Sequence, residues 1–409
     1  MILSLQIRLI DGLHFMESWD HFDSNKQLQE WTEQWATEAL RVIKPGGIML
    51  CFGAPRTFHR IACGIENAGW ILKDTIMYVF GSGFPKAFDV GKAVDKKLGN
   101  KREITGNDKS GKPETHTTYE MGKQTQEGEN TFGGKYDVTK GNSKWEGYKS
   151  PGLKPAYEPI IMAMKPKDGT YAENALKWDV AGINVDGARI PLNGDKKMTG
   201  GCKGTDNPVN YNFGKPFKED NTKGRFPANL ILDNSKEVKE CFPNTQSGGV
   251  GTFRKAESLI TEREVTKKVY RKGDSGSASR YFKRIKYCSK ASKAERNKGC
   301  GGLEDVDGGH YRQDEWSRRN MGNTPDSKRK PVKNDHPCVK PVALLEYLVE
   351  LTKMPNEDQI YLDPFVGSGT TAIAVGNKNR NYIGIEKNEH YCKIARARIK
   401  ASRKQLKLF

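Results

Sequence analysis

The sequence lacks any long hydrophobic run. No stretch approaches the ~18 apolar residues that a membrane-spanning helix requires, so a membrane partner is not expected. The opening residues, "MILSLQIRLIDG", are apolar but broken by Gln6, Arg8 and Asp11, with no basic segment ahead of a clean apolar core, so a secretory leader is not expected either. Paired cysteines are also missing. The eight thiols, Cys51, Cys63, Cys202, Cys241, Cys288, Cys300, Cys338 and Cys392, are scattered with no C-x-x-C pair. That spacing points to reduced thiols in a cytoplasmic protein rather than a disulfide frame or a zinc site, and no metal is expected. Hydrophobic residues make up only 35% of the chain, so part of its length is read as surface loop rather than core.

What is abundant is positive charge. Against 50 acidic residues stand 68 basic ones, a net +18 over 409 residues. A surplus of this size favours a polyanion partner, because each phosphate neutralised releases condensed counterions. A solvated basic surface is the plainer alternative.

Composition separates the chain into regions. Residues 1–98 alternate helix and strand patterns, the signature of an α/β fold. Ser24 followed by Gln27 is a candidate capping box. The helix after it repeats Leu28, Trp31, Trp35 and Ala39, and "KPGG" at 44–47 stops it. "IMLCFG" (48–53) then reads as a buried strand, "RTFHRIACGIENAG" as a helix closed by Gly69, and "WILKDTIMYVFGSGFP" as strand and turn. Residues 99–155 are polar and glycine-rich without periodicity, which predicts a loop that is either disordered or functional. Residues 156–330 open on a strand, "EPIIMAMKP", and continue basic and broken, with short apolar islands such as "RFPANLILD" (225–233). Order returns in 331–409: helix "PVALLEYLVELT", strand "QIYLDPF", a helix after Thr370, strand "NYIGIE" and a last helix "HYCKIARARIKASRK".

The most informative stretch is "YLDPFVGSGTTAI" (361–373). Gly367-x-Gly369-x-x-Ala372 follows a strand and opens a helix, and Glu386 ends the next strand, nineteen residues on (386 − 367 = 19). Glycines there let the backbone approach a ligand, and the acid is placed to bind ribose hydroxyls. A phosphate-holding P-loop is disfavoured because no G-K-[ST] follows. Only 23 residues remain after Glu386 (409 − 386 = 23), so the other strands must come from the N-terminal region. The predicted fold is therefore α/β and circularly permuted, with the cofactor half last.

At these residues the chain resembles a family. "LDPFVGSGTTAIAV" with "NYIGIEKNEHYCKIARARI" is similar to the S-adenosylmethionine site of the beta-class DNA amino-methyltransferases, which carry a catalytic motif first, a target-recognition region next and the cofactor site last. "NDHPCVKPVALLEYLV" (334–349) is similar to the H-P-T-x-K-P segment of that family, with Cys338 in place of the usual threonine. "RVIKPGGIMLCFGAPRTFHRIACGIENAGW", "YVFGSGFPKAFDVGKAVDK" and "LKPAYEPIIMAMKP" match phage-type members. The resemblance implies a Rossmann-like S-adenosylmethionine-dependent methyltransferase fold with a large inserted recognition region, double-stranded DNA as substrate and S-adenosylmethionine as cofactor. It leaves open both a homodimer and the choice of amine, with adenine 6-amino favoured over cytosine 4-amino. Asp363, Phe365, Gly367, Ser368, Gly369, Thr370 and Thr371 should line the cofactor, Glu386 should hold the ribose, and His336 and Lys340 should close the site. For Lys340 and His336 the alternative is capping the helix at Pro341, and for Phe365 it is a place in the core.

One part of the family pattern is absent. An exocyclic amine is a poor nucleophile, and the family's [DNS]-P-P-[YFW] motif accepts its hydrogens and stacks the flipped base. Where that motif belongs, just before Gly12, this chain has Arg8, Leu9, Ile10 and Asp11. Asp11 is a weak catalytic candidate. The expectation is an enzyme that is slow or inactive as written, or a DNA- and cofactor-binding descendant. The motif's strand would also be absent unless "ILSLQIRLI" supplies it in altered form. For DNA contact the candidate segment is 267–298, where Lys267, Lys268, Arg271, Arg280, Lys283, Arg284 and Lys286 alternate with Tyr270, Tyr281, Phe282 and Tyr287.

Overall fold

The computed structural model describes residues 2–5, 22–81, 87–108, 136–191, 224–246, 275–285, 292–304 and 333–406. In chain order the elements are β1 (Ile2–Leu5), α1 (Asn25–Val42), β2 (Ile48–Phe52), α2 (Phe58–Asn67), β3 (Ile71–Val79), α3 (Val90–Leu98), β4 (Glu103–Asp108), β5 (Tyr136–Lys140) and β6 (Tyr157–Met164). Next come α4 (Tyr171–Trp178), α5 (Val185–Ala188), β7 (Leu230–Asp233), α6 (Lys236–Glu240), β8 (Asn244–Gln246), β9 (Ser275–Ser277), β10 (Lys283–Ile285) and α7 (Lys293–Asn297). The chain ends with α8 (Val342–Leu351), β11 (Ile360–Asp363), α9 (Thr370–Asn377), β12 (Asn381–Gly384) and α10 (Glu389–Leu406).

Among the described residues, eight strands form one sheet in the order β10-β7-β3-β6-β2-β1-β11-β12. Only β6 runs antiparallel to its neighbours, β2 and β3. This is the permuted α/β architecture expected from the position of the glycine loop. β1 lies between β2 and β11, paired in parallel with both. The first four residues of "ILSLQIRLI", Ile2–Leu5, therefore do form a strand of the sheet; the remainder of that stretch lies outside the described residues.

Both faces of the sheet are covered, and strand alternation sorts the side chains between them. From β2, Ile48, Leu50 and Phe52 face a core closed by Leu344, Leu345 and Leu348 of α8 and by Ala374 and Val375 of α9. Met49 and Cys51 face the other way, against Leu28, Ala36 and Ala39 of α1 and Ile61 and Ile65 of α2. α1 starts where the sequence says it should. Ser24 is its N-cap and accepts the Gln27 N–H, while the Gln27 side chain accepts from Asp23 rather than from Ser24, so the box is offset by one residue. α1 and α2 touch closely because Gly64 has no side chain. A Cβ there would sit 2.6 Å from the Gln29 carbonyl and 2.8 Å from Thr32 Cβ. We expect Gly64→Ala to lower unfolding stability by ~1–3 kcal/mol, read as a lower denaturant midpoint; an unchanged midpoint would show that the helices separate without cost.

Two segments differ from their sequence reading. The polar stretch 99–155 is not bare loop at its margins, because β4 and β5 pair there as an antiparallel ladder. α3, which falls in the preceding segment, is tied to this ladder through Asp95 and Arg102. Segment 156–330 contributes three strands to the main sheet, β6, β7 and β10, where only one was expected; β7 and β10 have 4 and 3 residues, too short to show a period.

Candidate functional site

The site is built at the end of β11. Asp363 closes the strand, Gly367 (φ 51°) and Gly369 (φ 81°) take left-handed conformations, and α9 begins at Thr370. Both glycines are sterically required as well. A Cβ on Gly367 would lie 2.5 Å from His336 Nε2, and one on Gly369 would lie 3.1 Å from Ala395 Cβ. The loop is pinned to the end of β12 by Val366 N–H to the Ile385 carbonyl (3.0 Å) and Ile385 N–H to the Asp363 carbonyl (2.8 Å).

Two carboxylates meet at this loop. Glu386 accepts the Gly367 N–H on Oε2 (3.0 Å) and the Asn388 N–H on Oε1 (2.8 Å). Each oxygen takes one backbone donor and keeps acceptor capacity for another. Asp363 is 2% exposed; its Oδ1 accepts the Phe365 N–H at 3.0 Å, while Oδ2 is buried with no partner. Burial pushes the Asp363 carboxyl up to about 7, and Glu386 adds to the rise. The Thr371 hydroxyl and the Phe365 N–H pull the other way, although Thr371 closes no hydrogen bond to Oδ2.

His336 approaches the loop from the segment before α8. Its Nδ1 accepts the Cys338 N–H (3.2 Å), and burial with the nearby Arg296 and Arg398 pushes its pKa down to about 3. The ring is therefore neutral, with its proton on Nε2, the atom turned toward Gly367. The segment is held in place by α7, whose Arg296 donates to the His336 carbonyl (2.8 Å), and by His390 Nε2 at 2.8 Å from Asp335.

The remaining expected residues divide. Phe365 packs on α1, with ring centroids 5.6 Å from Trp31 and 6.0 Å from Trp35, which joins the loop to the aromatic surface of that helix. Ser368, Thr370 and Thr371 are buried, and the first two are turned away from the mouth of the loop. Arg398 of α10, 2% exposed, donates through Nη1 to the Ser368 carbonyl (2.6 Å), the Ser368 hydroxyl (3.0 Å) and the Thr370 hydroxyl (3.1 Å). Lys340 forms an ion pair with Glu158 and lies over the Phe52 ring at 4.6 Å. It thus braces the ends of β2 and β6.

Sequence reasoning missed Arg398 and Glu158. Arg398 had a signal: Tyr391, Ile394, Ala395 and Arg398 follow the i, i+3, i+4, i+7 spacing of one helix face, so a cation stands on the buried stripe. Glu158 had none, since its partner is 182 positions away.

Of the expected DNA contacts, Arg280 needs correction. It is 9% exposed, its guanidinium donates to Thr245, the Gly276 carbonyl and the Tyr281 hydroxyl, and it stacks 4.4 Å from the Tyr281 ring, so its donors serve the local fold. Lys283 is half-buried over the Tyr347 ring (4.8 Å), and burial lowers its pKa. Arg284 is half-buried on β10. Lys267, Lys268, Arg271, Lys286 and the weak catalytic candidate Asp11 lie outside the described residues.

Parts of this chain are similar to known proteins. Among curated proteins the chain is 25% identical over 173 residues to the type II methyltransferase M.HindIII of Haemophilus influenzae, covering 41% of this chain and 43% of that protein. It is 47% identical over 66 residues to M2.DpnII of Streptococcus pneumoniae, covering 16% and 24%. The chain thus spans less than half the length of these curated relatives. Among solved structures, the PvuII cytosine-N4-specific DNA methyltransferase aligns over 97% of this chain and 79% of its own, at 10% identity and a TM-score of 0.41. The model of the DNA methylase family matches residues 7–397, from the segment after β1 through the glycine loop, Glu386 and the first half of α10. With its cofactor-type loop inside a match of that extent, this chain belongs to the DNA methylase family.

Proposed function

We propose that this chain is a site-specific, S-adenosylmethionine-dependent amino-methyltransferase of double-stranded DNA, acting in the cytoplasm, with adenine 6-amino as the acceptor in preference to cytosine 4-amino. The observation that carries the reading is the strand–glycine loop–helix at Asp363–Thr370 with Glu386 bonded to its backbone. The residues fit the cofactor. Glu386 has spare acceptor capacity for ribose hydroxyls, and the partnerless Asp363 Oδ2 suits a cationic group. The missing Cβ atoms of Gly367 and Gly369 let the loop backbone pack directly against His336 and Ala395, which sets its turn at the end of β11. S-adenosylmethionine would supply an electrophilic methyl on a sulfonium. The chain's own residues hold and orient it: the neutral His336 limits the site beside Gly367, and Arg398 fixes the loop from beneath.

A second reading has its own support. Arg8–Asp11 stand where the family carries Asp-Pro-Pro-Tyr, which favours a DNA- and cofactor-binding protein with little or no turnover. Mass spectrometry of nucleosides after incubation of duplex DNA with protein and cofactor separates the two. 6-methyladenine or 4-methylcytosine supports the enzyme, and unmodified DNA with intact cofactor binding supports the second reading. For the cofactor site itself, we expect Glu386→Ala to weaken S-adenosylmethionine binding by roughly 1.5–3 kcal/mol, the scale of charge-assisted hydrogen bonds. Calorimetric titration reads this directly, and equal affinities would remove Glu386 from the site.

A further inference from the structure

The cofactor site makes no use of the unit formed by α3, β4, β5 and residues 141–154. This unit is inserted between β3 and β6, and its two ends leave the sheet together. Val79 pairs with Tyr157, and Phe80 N–H donates to the Ala156 carbonyl at 2.9 Å. β3 runs parallel to β7 and in the same sense as β2 and β11, so Val79 ends at the same sheet edge as Asp363. The unit is rooted on the edge that carries the glycine loop, where open α/β sheets bind their ligands.

Its acids and its lysines are used differently. Asp95, with a fully buried side chain, and Glu146 both pair with Arg102, which also donates to the Thr139 carbonyl (3.1 Å) and so clips α3, β5 and the 141–150 turn together. Asp89 caps α3 and pairs with Lys149. Those three carboxylates are spent inside the unit, while Glu103 is exposed opposite Lys140 on the ladder; Lys97, Lys101, Lys144 and Lys154 are exposed as well. Two aromatic rings accompany them. Trp145 (40% exposed) and Tyr148 (58% exposed) meet edge to face at 5.3 Å, with the Lys144 ammonium 5.9 Å from the Trp145 ring. Two large exposed rings on a clipped turn, flanked by outward cations, suit a phosphate backbone with sugars and bases beside it.

We propose that this unit is a duplex-DNA contact surface, separate from the 267–298 segment, that holds the substrate against the cofactor edge. The proposal rests on reading the chain as a DNA methyltransferase. The lysines engage phosphates, and the two rings pack on the sugar–base surface next to them.

The test measures binding of the full chain to a fluorescent DNA duplex over a range of salt. The variant Lys97→Gln, Lys101→Gln, Lys144→Gln, Lys154→Gln should flatten the plot of log affinity against log salt by about 0.9 for each lysine that contacts a phosphate, and raise Kd at low salt at least ~10-fold by the same release of counterions. Trp145→Ala with Tyr148→Ala should weaken binding and leave the slope unchanged. A control that removes three lysines, Lys44→Gln, Lys73→Gln, Lys167→Gln, lies at the opposite sheet edge and should bind like the wild type. Unchanged calorimetric cofactor binding in every variant shows that each has folded. If the wild type binds DNA and the four-lysine variant binds it with equal affinity and slope, the surface is wrong while the methyltransferase reading stands. If the wild type binds no duplex DNA, both fall. Equal or tighter binding of an RNA duplex overturns the choice of occupant.

Discussion

Replacing Arg8→Asp, Leu9→Pro, Ile10→Pro and Asp11→Tyr together is expected to raise the rate of methyl transfer to unmethylated DNA by at least ~100-fold. That factor is the scale lost when one preorganised acceptor is removed from a transition state. The structure makes the experiment feasible because the supporting strand is present. β1 lies beside β11, with Leu3 opposite Leu362, and the chain leaves β1 at Leu5, three residues before Arg8. The substituted acid and proline carbonyl would accept the amine hydrogens, and the tyrosine would stack on the flipped base. The measurement is tritiated methyl transfer by the original and substituted chains under the same conditions. Robust turnover by the original chain, with no gain on substitution, would mean that Asp11 or another acceptor already performs this role.

The second large effect is expected at Asp363. Its folded carboxyl, near pH 7, lies above the ordinary value of 3.8. The native state therefore binds more protons than the unfolded state between those values, and stability must fall as pH rises through that window. Below about pH 4 the group is protonated in both states and there is no penalty; above about pH 7 the penalty is complete, on the order of 4 kcal/mol at ~1.4 kcal/mol per unit. Asp363→Asn keeps an acceptor for the Phe365 N–H and removes the charge. The unliganded variant should match the wild type near pH 4, exceed it in stability at pH 8, and bind a cationic cofactor more weakly. Wild-type binding should tighten as pH rises from about 6 to about 8, when the carboxylate forms, and the variant should lose that rise. Denaturant unfolding and calorimetry at both pH values test the pair of effects. A wild type as stable at pH 8 as at pH 5 would mean that Asp363 ionises without cost.

Much of this was legible in the sequence because the sheet's buried strands and their covering helices carry strong periods. β2 and β6 read as apolar runs, α1 and α2 ended at glycine signals, and the whole 342–406 order of helix and strand was readable. The β4–β5 ladder was not, because it is held by backbone pairing among polar residues and leaves no apolar alternation. The loop residues themselves were legible from glycine spacing, but the direction of their side chains was not. Ser368 and Thr370 also accept from Arg398, thirty and twenty-eight positions on, a partner that the glycine spacing does not disclose. The partners of Lys340 were hidden for the same reason: a motif fixes neighbours in sequence, whereas Glu158 and Phe52 come from other strands.

The position of β1 also bears on how the protein is made. Ile2 and Leu3 pair with Tyr361 and Leu362, so two strands 355 positions apart (360 − 5 = 355) lie side by side. At ~5–20 residues per second, β11 leaves the ribosome roughly 20–70 s after β1, and during that interval one side of β1 has no partner. A contact this long-range closes late and slowly. The nascent chain therefore carries an open strand edge from β1 until β11 is made, and the sheet can be completed only when the cofactor half arrives.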